Sequence, residues 1–101
     1  MSQALPESNA RNLDELLEQI EPVFDDVVID GSDDELFASG YLRGHFDLVA
    51  AQLSLQGEQQ GDSLWPALEK AIADASHELT PADQIHVENL YLKLRARAGL
   101  A

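Results

Sequence analysis

Cysteine is absent from this chain of 101 residues, which excludes disulfides, thiolate zinc centres and thiol nucleophiles and suits a reducing compartment. Basic side chains are scarce: six Lys and Arg stand against nineteen Asp and Glu, a formal net charge of −13. A field of that sign repels phosphate, so neither nucleic acid nor an anionic membrane is an expected partner. No apolar run approaches the roughly 18 residues that a bilayer span requires. Residues 1–11 lack the basic head and apolar stretch of a secretory leader and read as a disordered arm; the expected location is the cytoplasm. Four prolines and six glycines are too few for a low-complexity chain.

What is present is an ordinary globular complement, 45% hydrophobic, enough for one domain that buries about two-thirds of its unfolded surface. Apolar spacing of three and four divides residues 12–98 into about four helices, approximately 12–29, 33–55, 64–76 and 81–98. No strand-period run of useful length occurs, so the fold class is all-α, a compact antiparallel bundle. The first segment carries Leu13, Leu16, Leu17, Ile20, Phe24, Val27 and Val28 on one stripe, with Asn12 as its cap. Pro22 either kinks this helix or begins a second short one at its first turn. Gly31 suits a left-handed stop. Ser32 and Glu35 form a capping box, with Asp33 and Asp34 facing the positive helix end. Thr80-Pro81-Ala82-Asp83 announces the last helix, and Lys93, Arg95 and Arg97 complement its C-terminal dipole.

The second segment is apolar around nearly two-thirds of its wheel, through Phe37, Ala38, Tyr41, Leu42, Phe46, Leu48, Val49, Leu53 and Leu55, and is therefore expected at the centre. Gly40 and Gly44 each cost about 1 kcal/mol against alanine inside a helix. A close helix crossing is the expected reason, with a ligand groove as the alternative. His45 projects into the apolar arc and reads as a buried histidine meeting Tyr41. Asp47 points elsewhere, so His45 lacks the orienting carboxylate that a general base needs. Arg43 can pair with Asp47 one turn on or with a carboxylate of the first segment. Trp65 is expected to anchor the loop before the third helix onto the core. Ile85, Leu92 and Ala96 form a second stripe on the last helix, either covered by the first helix or free for a dimer or partner.

Residues 14–35 hold ten carboxylates and no Lys or Arg. Calcium-loop spacing fails: the register from Asp26 places valine at the third position, and the register from Asp30 places Glu35 where glycine is needed. His45, His77 and His86 are not spaced as metal ligands on one helix. No metal or cofactor is expected. Asp33 to Glu35 are accounted for by the helix they open. Asp25, Asp26 and Asp30 lie toward the negative end of theirs, and a break at Pro22 would relieve two of them.

The run Ser-Asp-Asp-Glu-Leu-Phe-Ala-Ser-Gly-Tyr-Leu-Arg-Gly-His, residues 32–45, resembles the YfcL family of small gammaproteobacterial proteins. The resemblance extends over residues 12–97 and implies a cytoplasmic bacterial protein without an assigned activity. The residues themselves favour a small acidic binding or adaptor domain for a basic protein partner. Its surface would comprise Asp25, Asp26, Asp30, Ser39, Arg43 and Asp47. The alternatives are a small-ligand or metal-assisted enzyme using His45, and a homo-oligomer through Ile85 and Leu92. The expected state is a monomer or weak homodimer.

Overall fold

A computed structural model describes residues 12–100; the expected arm, residues 1–11, lies outside the described residues. Five α-helices follow one another: α1 (Leu13–Ile20), α2 (Pro22–Asp30), α3 (Asp33–Leu55), α4 (Leu64–Ala75) and α5 (Pro81–Arg97). Single 3-10 turns, Gly61–Ser63 and Ser76–Glu78, lead into α4 and out of it. The fold is all-α, as expected, with one helix more than the apolar spacing gave.

Pro22 makes the difference. Glu21 closes α1 by donating its amide to the Leu17 carbonyl at 3.0 Å, and Pro22, which has no amide to offer, opens α2 at its first position. The break moves Asp25 into the first turn of α2, where the helix dipole favours it. It also narrows the buried stripe. Val23, Phe24 and Val27 face inward, whereas Val28, expected in the core, is exposed. The chain turns at Gly31 in extended geometry, φ −77° and ψ 152°, not in the left-handed conformation expected. Glycine is needed there for space, since a Cβ would lie 2.5 Å from the Val27 carbonyl oxygen and 2.8 Å from its Cγ1.

The caps are those legible in the sequence. Asn12 Oδ1 accepts from the Glu15 amide at 2.8 Å, Ser32 Oγ from the Glu35 amide at 3.2 Å, and Thr80 Oγ1 from the Asp83 amide at 3.1 Å. Both Glu15 and Glu35 return a carboxylate oxygen to their cap's amide, which completes two capping boxes. A further bond pins α1 from outside: the Leu13 amide donates to the Gln59 carbonyl at 2.8 Å in the loop after α3.

α3 occupies the centre, packed against α2, α4 and α5. Its inner face contributes Ala38, Leu42, Phe46, Val49 and Leu53 to a core completed by Ile20, Phe24, Leu64, Leu68, Val87 and Leu94. Phe24 meets Phe46 at 5.2 Å between ring centroids, tilted by 57°. α4 and α5 run antiparallel: near their turn Gln84 Nε2 donates to the Ser76 carbonyl at 3.0 Å, and farther from it the Tyr91 hydroxyl donates to the Glu69 carboxylate. Trp65 is buried as expected, edge-on to Tyr91 at 6.0 Å with the Arg95 guanidinium 5.3 Å over its ring.

Among the described residues the neighbours cover only one side of α3. Phe37, Leu48 and Leu55, expected in the core, are exposed, and Gly40 and Gly44 do not lie at a crossing of the described helices: a Cβ built on either meets no atom of the described residues within 4 Å. Ile85 and Leu92 are likewise exposed, so α1 does not cover the second stripe of α5.

Two outcomes are expected. Gly40→Ala and Gly44→Ala each raise the unfolding free energy by about 1 kcal/mol in dilute solution, read from the urea midpoint at unchanged slope. Burial, then the bond to Glu69, push the Tyr91 hydroxyl up to about 12 from 10. Its contribution to stability is therefore complete below pH 10 and lost as the pH rises through about 12. Urea midpoints of wild type fall over that window, and Tyr91→Phe flattens the fall.

Candidate functional site

Arg43 ties α2 to α3. Its guanidinium lies 5.6 Å from the centroid of the Phe24 ring, with Nη1 3.7 Å from Asp25 Oδ1 and Nε 4.0 Å from Asp47 Oδ2. Both partners considered for it are engaged together. The three side chains are largely exposed, so each pair is worth under about 1 kcal/mol. Lying over Phe24, the guanidinium caps the edge of the core more than it offers a vacant cation.

The remaining candidates divide. Asp26 points to the other side of α2, where Arg97 Nη2 lies 3.3 Å from its Oδ2. Ser39 does not belong to the outward strip expected of it. It is 4% exposed, because α3 buries a face wide enough to take Ser39 in beside Ala38 and Leu42. Asp30 and Asp33 carry no ion pair among the described residues and are exposed at the α2–α3 corner.

Two adjoining hollows of about 410 and 630 Å³ run between α2, the start of α3 and α5, sharing Val27, Glu35, Lys93 and Ala96. His86 Nε2 stands 3.7 Å from Asp34 Oδ2 at one end, and the Arg97–Asp26 pair closes the other. The Ser32 amide and hydroxyl hold the Glu35 carboxyl below its ordinary range, with smaller help from Lys93 and His86. Charges of both signs line the trough, so it selects for neither anion nor cation.

His45 sits half-buried against Tyr41, edge-on at 4.8 Å. The meeting with Tyr41 is as expected, the full burial is not. The side chain lines neither the trough nor the hollow of about 580 Å³ between α4 and α5. Among the described residues it has no ion pair with a carboxylate, the orienting group that a general base needs. Among the described residues no three His, Asp or Glu side chains converge as a metal site.

The feature that sequence reasoning missed is apolar. Val28 and Ile29 are 64% and 77% exposed at the end of α2, between Asp25 and Asp26 on one side and Asp30 and Asp33 on the other. Their signal was the break at Pro22, which ends the stripe that would otherwise have drawn Val28 inward. The corner is thus both acidic and greasy.

Comparison with known proteins agrees in extent with the helical core. The family model described as YfcL protein matches residues 14–96, from α1 into the last turn of α5. The chain is 40% identical over 81 residues to a protein of Escherichia coli (strain K12) described as uncharacterized protein YfcL, covering 76% of this chain and 86% of that one. No solved structure matches. A family model spanning the helices and a relative of that similarity lead to one conclusion: the chain belongs to the YfcL family.

Proposed function

We propose that this protein is a small cytoplasmic binding or adaptor domain whose α2–α3 corner receives a basic, amphipathic segment of a protein partner. The exposure of Val28 and Ile29 among carboxylates carries the reading. A soluble domain gains nothing within its own fold from leaving two neighbouring β-branched apolar side chains in water. A partner that covers both recovers roughly 2 kcal/mol for each. Asp30 and Asp33, with no cation of their own among the described residues, complement lysines or arginines flanking the partner's apolar positions. The net charge of −13 speeds encounter with such a segment and disfavours acidic competitors. A chain without cysteine is in keeping with the cytoplasm.

Within this surface the residues differ in rank. Asp25 and Asp26 are already engaged by Arg43 and Arg97, and Arg43 is occupied at the edge of Phe24. Ile29, Asp30 and Asp33 are available.

Affinity capture from an extract of the native host, quantified by mass spectrometry, tests the ranking. Wild type should recover a partner bearing a basic segment, less of it as salt is added. Ile29→Ser should lower recovery about tenfold, and Asp30→Asn with Asp33→Asn severalfold. Arg43→Ala should stay within about twofold of wild type. Equal recovery by every variant would place the binding surface elsewhere.

A further inference from the structure

The outer face of α3 carries Phe37, Tyr41, Gly44, Leu48, Ala51 and Leu55, spaced alternately by four and three residues. That is the spacing of a coiled-coil seam, about 27 Å long. Leu48 is 56% exposed and Leu55 88%, while Gly44 and Ala51 lie open between them. Among the described residues the hydrogen bond made from this face is that of the Tyr41 hydroxyl, which donates to the Ala75 carbonyl of α4 at 3.1 Å. From the geometry of this seam we infer that a second copy of the chain covers it, as an antiparallel two-fold pair of α3 helices.

Three observations select the second copy as occupant. The first is self-complementarity. In an antiparallel pairing centred on Phe46, Gly44 of one protomer faces Leu48 of the other, Tyr41 faces Ala51, and Phe37 faces Leu55. Each small residue receives a large one, and an isologous contact requires this kind of match of a sequence with its own reverse. The second is charge. Residues 36–57 hold only Arg43 and Asp47 as charged side chains besides His45, and these two lie 4.0 Å apart. In a chain of −13 that neutral strip is where two copies can meet with least repulsion. The third is the solvent-facing glycine. Gly44 weakens α3 and answers no steric demand among the described residues, none of which would lie within 4 Å of a Cβ there. Opposite the partner's Leu48, the missing side chain becomes the hole that a knob enters.

A seam one helix wide buries less than the roughly 1,600 Å² of a standard stable interface, so the dimer is weak and its population follows concentration. Its salt response is opposite to that of the acidic corner. Screening the net charge of each copy favours the pair, whereas it weakens capture of a basic segment.

Sedimentation equilibrium of the purified full chain, over concentrations reaching the millimolar range and at low and high salt, tests the inference. The weight-average mass should climb from 11.1 kDa toward twice that value, farther at high salt. Leu48→Glu, a change at an exposed position, should hold the mass at the monomer value while leaving the helical circular dichroism intact. Gly44→Ala should weaken association severalfold while raising the melting temperature of the dilute monomer, a pair of opposite responses that loss of fold cannot produce. A wild type that stays monomeric throughout, as it would if the seam served a different protein, overturns the inference. So does a Leu48→Glu variant that dimerises like wild type, which would move the contact to another face such as that of Ile85 and Leu92.

Discussion

The position of α2 on α3 is set by Phe24 lying against Phe46, and the outer features of the molecule depend on where that contact puts α2. With Phe24 held there, Arg43 lies over its ring and reaches Asp25, while Asp26 is turned to the opposite side toward Arg97. The same placement leaves Val28 and Ile29 beyond the last buried residue of α2, Val27. Dispersion and burial thus fix the helix, and the ion pairs occupy what the packing leaves within reach. Exposed pairs of this kind are too weak to have dictated the arrangement.

Much of this is legible in the sequence alone. Local signals were the most faithful: Ser32 with Glu35, Asn12, and Thr80 followed by Pro81 cap the helices they announce, because a cap is decided within four residues. Charged partners one turn apart, such as Arg43 and Asp47, were equally plain. What failed were statements that depend on neighbours. An apolar wheel records which side chains could be buried and is silent on how many faces of a central helix receive a partner. Phe37, Leu48 and Leu55 were misplaced for that reason, and Ser39 was drawn inward for the converse one. Gly31 misled in a different way, since glycine answers both to positive φ and to crowding, and here crowding by Val27 is the cause.

Charge and apolar exposure are distributed separately over the surface. Carboxylates gather on α1, α2 and the first turn of α3, whereas the outer length of α3 is nearly uncharged and interrupted by glycine. A chain built only for solubility would have interspersed the two, as scattering charge prevents apolar patches from forming. The separation gives the molecule two faces of different chemistry: an acidic one that exposes Val28 and Ile29, and an apolar one that is nearly uncharged.

The attachments of α1 carry a consequence for how the chain assembles. α4 and α5 are joined by a hairpin whose bonds span few residues, such as Gln84 to Ser76 eight apart, and Tyr41 ties α3 to Ala75 of α4 across 34. α1 is secured by the Leu13 bond to Gln59 and by Gln19, whose side chain donates to the Arg97 carbonyl at 2.9 Å across 78 residues of sequence. Contacts so distant repay their loop-closure entropy only once the intervening chain is already ordered. The α4–α5 hairpin is therefore expected to form early and α1 to dock last. By the same account α1 is the element expected to leave first, detaching an acidic helix from a core that persists.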